Sequence, residues 1–235
     1  MTGIYSAAAG MSAQQTWLDA LANDLANVNT PGYHSQRVAF HDLVYDTAGA
    51  GVGSAAVTLG VTIAQGPMLQ SSDPLALAIE GNGYFQVKRA DGSTALTRNG
   101  QLQIDATGRI TTSTGEPLEP ALTLPKGTSP GDLAIGPDGT VTTTTGTKVG
   151  KIQLVTVPSP DQLQPLGNGQ FAVTQGSGNP VSADGKIKQY FLEGSNVDMA
   201  DALTGMIQAQ RAFELESRAV TTQDQLLQMA NELRR

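Results

Sequence analysis

The 235 residues carry 14 basic and 21 acidic side chains, a formal net charge of −7, and no cysteine. Without cysteine the chain makes no disulfide, thiolate zinc site, iron–sulfur cluster or cysteine nucleophile. The acidic balance argues against nucleic acid as a partner, since a phosphate backbone is held by clustered Lys and Arg, and no stretch is long and apolar enough to span a bilayer.

Residues 1–15 have neither a basic leader region nor a continuous apolar run, so the sequence predicts no cleaved secretory signal. All 12 prolines and 24 of the 27 glycines fall in residues 31–194, which leaves both ends free to form long helices. In the N-terminal segment Ile4, Met11, Leu18 and Leu25 recur every seven residues, with Ala8 and Ala22 in a second row that Gln15 interrupts. Trp17, Leu21 and Val28 widen that seam, and Pro31 stops the helix.

Residues 47–72 hold no charged side chain and read as an extended arm or as a connection ordered against a neighbour. Short strands are expected at 78–79, 83–87, 102–104, 110–112, 152–155 and 170–173, punctuated by turn pairs such as Asp91-Gly92, Asn99-Gly100 and Asp138-Gly139. Gly108–Gly115 is echoed 31 residues later by Gly139–Gly146, and Gly81–Val87 by Gly167–Val173. Neither period is sustained, so these are recurring hairpin solutions and not a solenoid. Beyond them Met199, Met206, Phe213, Val220 and Leu227 repeat the seven-residue spacing, beside Ala202, Ala209 and Ala230. Asp198 is placed to cap this second helix, and Asp201 sits in its first turn.

The fold class expected is α+β: long N- and C-terminal helices forming a coiled-coil-like domain, with a β-rich central domain. The expected division is 1–33, a helical assembly segment; 34–75, an extended connection; 76–194, the β-rich domain; and 195–235, a second helical assembly segment.

Chemistry is sparse. His34 and His41, even with Asp42 and Asp46, match no familiar zinc spacing and read as surface or packing residues. The Gly81-Asn82-Gly83 and Gly167-Asn168-Gly169 loops run into β-patterned residues, not into a helix whose amide end would hold phosphate. Glu80, Glu116 and Glu119 supply carboxylates for a glycosidase, but nothing in their spacing sets two of them across a cleft. No catalytic, metal or cofactor residue is assigned. The helices are more informative, because a continuous apolar seam must be buried somewhere. The two ends pair within one monomer, or both seams are completed by other subunits, with Gln15, Glu216 and Gln223 helping to choose register.

The run from Ala22 to Tyr33, ANDLANVNTPGY, resembles the N-terminal signature of the bacterial flagellar basal-body rod and hook proteins. The stretches Val38–Tyr45, Ile79–Val87, Leu96–Gly100, Leu192–Met199, Met206–Glu214 and Ser217–Asp224 carry the resemblance through the chain in order. The stretches Asp42–Tyr45 and Gln210–Phe213 favour the distal-rod branch, with a proximal-rod or hook-type subunit as the alternative. A β-domain enzyme or carbohydrate-binding protein with oligomerising tails is the alternative of another class. The resemblance implies a structural subunit without a cofactor, self-associating into a hollow helical polymer whose inner tube is lined by the terminal helices. It also implies adjacent rod and hook proteins as partners, a place in the periplasm-spanning rod, and unfolded passage through the flagellar type III export apparatus. The assembly interface expected on this basis is Ile4, Met11, Leu18, Leu25, Met199, Met206, Phe213, Val220 and Leu227.

Overall fold

The computed structural model describes residues 2–44, 51–125 and 127–232. Among these, helices α1 (Thr2–Ala26) and α2 (Met199–Glu232) stand at the two ends of a series of short strands. The first strands are β1 (Gln36–Val44), β2 (Gly51–Val61), β3 (Met68–Gln70), β4 (Leu77–Glu80), β5 (Tyr84–Lys88) and β6 (Thr94–Thr97). There follow β7 (Leu102–Ile104), β8 (Ile110–Thr112), β9 (Leu133–Ile135), β10 (Thr140–Thr143), β11 (Lys148–Lys151) and β12 (Leu154–Thr156). The series closes with β13 (Gln164–Gly167), β14 (Gln170–Ala172), β15 (Val181–Ser182), β16 (Lys186–Gln189) and β17 (Phe191–Glu193). The chain divides into a unit of Met1–Ala26, Gln36–Leu59 and Asp198–Arg235 and a unit of Asn27–Ser35 and Gly60–Val197.

In the first unit α2 begins where the sequence places its cap. The Asp198 carboxylate accepts the Ala200 and Asp201 amides at 2.8 and 3.2 Å, satisfying donors that a helix start leaves orphaned. The two helices run antiparallel: Gly205 of α2 faces Leu21 and Trp17 of α1, whereas Glu216 faces Gly10. Apart from Asp24, the buried positions among the described helix residues are small, namely Gly10, Ala13 and Ala20 on α1 and Ala202, Gly205 and Ala209 on α2. This corrects the coiled-coil expectation. The helices pair antiparallel at close approach, and among the described residues the long coiled coil built on the rows of large residues is not formed. On α2 the alanine row faces α1, while Met199 and Phe213 of the large row are exposed. Alanine and glycine let two backbones approach, and bulky knobs at the same places would hold them apart. Strands β1 and β2 pair with each other; Phe40 of β1 meets Trp17 edge-on at 5.7 Å, and the Gln36 amide donates to Asp24 Oδ1.

The second unit contains a six-stranded antiparallel sheet in the order β13-β14-β6-β5-β12-β15, with smaller ladders β9-β10-β11, β4-β16, β3-β17 and β7-β8. Its larger core includes Leu77, Ile79, Phe85, Val87, Ile110 and Val141, and a second core gathers Tyr84, Leu96, Leu163 and Phe171. Each such side chain, fully buried, contributes roughly 1.5–3 kcal/mol. The strands expected around 83–87, 102–104, 110–112 and 170–173 are β5, β7, β8 and β14. The uncharged stretch supplies β2 and β3, and residues 47–50 lie outside the described residues.

The 31-residue echo is structural as well. Gly108 donates to Asp105 O and Gly139 to Gly136 O, both at 2.9 Å. The Glu116 amide meets Thr112 Oγ1 and the Thr147 amide meets Thr143 Oγ1, both at 3.2 Å. Thr112–Thr114 and Thr143–Thr145 hydroxyl pairs complete the match. Threonine recurs there because its hydroxyl closes the turn that its backbone begins.

Candidate functional site

Three sequence-distant segments of the β-rich unit, 32–35, 62–67 and 193–196, are bound together around one carboxylate. Glu193 terminates β17 and is almost fully buried, as are Arg98 and His34. Its Oε2 accepts Arg98 Nη1 at 3.0 Å, and its Oε1 accepts the Gly66 amide at 3.1 Å and lies 3.4 Å from His34 Nε2. Arg98 Nη2 donates to Gly81 O at 2.9 Å, and its guanidinium lies 5.2 Å from the Tyr84 ring centroid. The other imidazole nitrogen, His34 Nδ1, is 2.8 Å from the Thr62 carbonyl. A carboxylate taken from water demands this degree of compensation. Burial alone drives the Glu193 carboxyl upward, but the His34 contact, the Arg98 charge and the Gly66 amide together hold it below the ordinary glutamate range. Burial pushes the neighbouring Tyr84 hydroxyl up, against the lowering effect of Arg98.

The backbones are joined as closely as the side chains. The Gly32 amide donates to Glu193 O at 2.8 Å, the Asn196 amide to Tyr33 O at 3.3 Å, and the Ser35 amide to Asn196 Oδ1 at 2.8 Å. Asn196 Nδ2 reaches Ala64 O, and the Gly194 amide reaches Pro67 O. Two glycines are dictated by this packing. A Cβ on Gly66 would fall 2.0 Å from Gly194 O, and one on Gly32, at φ +68°, would fall 2.5 Å from the Asn99 nitrogen.

The sequence-expected interface residues are distributed differently. Met11, Leu18 and Leu25 on α1 and Met206 and Val220 on α2 are half-buried, whereas Met199 is 50% exposed. Phe213 is exposed as well, and the side chains of Ile4 and Leu227 lie outside those described. Leu203, Ile207, Leu215, Leu226 and Met229 add to the exposed apolar surface of α2. His41 is exposed on β1, and Asp46 lies outside the described residues. Glu80 pairs with Lys188 at 3.1 Å, Glu116 bonds Thr114 and Gln170, and Glu119 bonds Thr94, so the three acids of the glycosidase reading serve separate local contacts. Sequence reasoning missed Arg98 and Glu193 as a site. The signal available was a charged residue within each of two motifs, Arg98 in Leu96–Gly100 and Glu193 in Leu192–Met199. Among the described residues no helix is long and apolar enough to cross a membrane, and no group of three metal-ligating side chains occurs.

His34, Arg98 and Glu193 each fall within a region that matches a known family model. Residues 4–34 match the flagella basal body rod protein model, 78–143 the flagellar hook protein FlgE/F/G D1 domain, and 188–233 the flagellar basal body rod FlgEFG protein C-terminal region. The chain is 36% identical to the flagellar basal-body rod protein FlgG of Agrobacterium fabrum over 96% of its own length and 97% of that protein. It is 35% identical to FlgG of Bacillus subtilis over the whole of both chains. It is also 30% identical to FlgF of Salmonella typhimurium over 98% of its length and 97% of that relative. The chain therefore belongs to the flagellar basal-body rod and hook protein family, a family of structural proteins and not of enzymes. Within it the likeness is to the distal rod protein, FlgG.

Proposed function

We propose that the chain is a structural subunit of the flagellar basal-body rod, located in the rod and associating with further copies and with adjacent rod and hook proteins. The observation that carries the reading is full-length similarity to FlgG proteins on a chain whose α2 leaves Met199, Leu203, Ile207 and Phe213 uncovered. A repeated contact between unlike surfaces generates an open helical filament when its rotation does not close a ring. Burial of those side chains between copies repeats the same gain along a shaft, which then transmits torque without hydrolysis.

The finer parts of the reading are a hollow polymer built through the terminal helices, a periplasm-spanning position and passage of the unfolded chain through the export apparatus. Absence of cysteine suits such a passage, since no disulfide would restrain the unfolded chain. Phe213→Asp and Leu25→Asp are expected to leave the β-rich unit folded and block polymerisation, followed by electron microscopy of the purified chain. Normal filament growth by either variant refutes helix-mediated assembly. In cells, a deletion that arrests the flagellum before the hook supports a distal rod subunit, whereas a finished rod without a hook indicates a hook-type subunit.

A further inference from the structure

A buried ion pair is a poor stabiliser, because desolvation offsets much of the attraction, yet it penalises every arrangement in which one charge loses its partner. The Glu193 cluster has a form suited to that second effect. Its carboxylate, carried by the 193–196 segment, touches the other two crossing segments, Gly66 through an amide and 32–35 through His34, while the Glu193 main-chain carbonyl accepts the Gly32 amide. Arg98 adds the β-sheet side, at the end of β6. The partners are separated by tens of residues or more in the chain, so no local turn preference fixes their register.

We infer that the His34–Arg98–Glu193 cluster is a register lock, holding the segment that follows α1 and the segment that precedes α2 in one fixed crossing. A one-residue slip of the 193–196 segment would remove Glu193 from Arg98 and leave a guanidinium buried without its anion. It would also carry Asn196 away from Ser35 and Ala64, its bridging partners. After such a slip an apolar side chain still finds apolar neighbours, whereas a buried guanidinium without its carboxylate finds no substitute partner. The consequence for assembly rests on the rod reading above: subunits of a helical polymer must present one conformation, so a loosened crossing yields irregular polymers.

The lock is separable from ordinary stabilisation by comparing Glu193→Gln, Arg98→Met and the double variant in the full chain. Glu193→Gln keeps the shape but strands the Arg98 charge, so the urea midpoint falls. The double variant discards the stranded charge, and Gly81, being exposed, takes water in place of the guanidinium. Its midpoint is expected to recover most of the loss. Amide exchange at Gly32, Ser35 and Asn196 is expected to stay at least about tenfold faster than wild type in both, a factor that corresponds to about 1.4 kcal/mol of local opening. A double variant with wild-type protection at those amides overturns the lock. A double variant as unstable as the single, with exchange raised evenly across the β-rich unit, also overturns it and makes the cluster a plain stabiliser. Should Glu193→Gln fail to fold, Arg98→Met and the double variant give the same comparison. In polymerisation, the double variant is expected to give polymers without the wild-type helical order, and wild-type order there overturns the consequence for assembly. A wild-type chain that forms no polymer counts against the rod reading and leaves the exchange result to decide the lock.

Discussion

The carboxylate of Glu216 on α2 rests on Gly10 of α1, where an added Cβ would stand 2.6 Å from Oε1. The missing side chain makes room for the acid, yet buried Glu216 Oε2 has no hydrogen-bond partner among the described residues. Burial accordingly raises the Glu216 carboxyl above the ordinary glutamate range. An acid raised in the folded state costs nothing while both states are protonated and destabilises once both are ionised. Helix pairing is therefore expected to weaken as pH climbs from about 4.3 through the raised value. Glu216→Gln removes that slope. Melts followed by Trp17 fluorescence should coincide for the two proteins near pH 4 and favour Glu216→Gln at pH 7; equal behaviour at both pH values contradicts the burial.

The small-residue seam predicts which alanines tolerate enlargement. Ala209 is 1% exposed against α1, so Ala209→Leu forces the backbones apart and is expected to cost about 1–3 kcal/mol. Ala8, in the second row of α1, is exposed, and Ala8→Leu is expected to stay within about 0.5 kcal/mol of wild type. Urea denaturation read at the helical CD band separates the two. The reverse order would contradict a contact face built on Ala209.

That contrast explains how far the sequence could be read. The confinement of every proline and all but three glycines to 31–194 located both helices, because breakers act through the backbone whatever the tertiary setting. Turn pairs such as Asp138-Gly139 located hairpins for the same local reason. The contact face of α2 was not legible by counting large residues, since Ala202, Gly205 and Ala209 pack by being small and leave Met199 and Phe213 outside. Nor was the Glu193 cluster legible, because His34, Arg98 and Glu193 meet only through tertiary crossing. Arg98 and Glu193 were visible in the motifs that carry the family resemblance, but a motif does not disclose that two such stretches share one buried ion pair.

Gly32 offers a sharper test of the crossing. At φ +68° an L-residue costs about 1–2 kcal/mol, and the Cβ would also meet the Asn99 backbone at 2.5 Å, which no rotamer change relieves. Gly32→Ala is expected to destabilise the β-rich unit by more than about 2 kcal/mol. Gly92 has a similar positive φ of 84° with open space around it, so Gly92→Ala is expected to show only the conformational part, about 1 kcal/mol. Denaturation midpoints of the two variants measure the difference, and equal losses would mean that the Asn99 contact is absent.

Glu193 gives the opposite pH response to Glu216. Its burial opposes ionisation, but His34, Arg98 and the Gly66 amide outweigh that effect and depress the folded-state value. A carboxylate depressed on folding contributes stability that is present above the unfolded value, about 4.3, and is lost as pH falls through the folded one. The β-rich unit is therefore expected to lose stability on acidification from pH 5 downward while the Glu216 contribution moves the other way in the helical unit. Amide exchange at Phe85 and Leu96, both in the buried sheet, follows the first process without interference from Trp17, which reports the second. Glu193→Gln should lower protection at neutral pH and flatten its acid dependence, since the stranded Arg98 charge persists at every pH. If the variant retains the wild-type acid slope, other carboxylates govern it and Glu193 is not the group whose protonation loosens the unit.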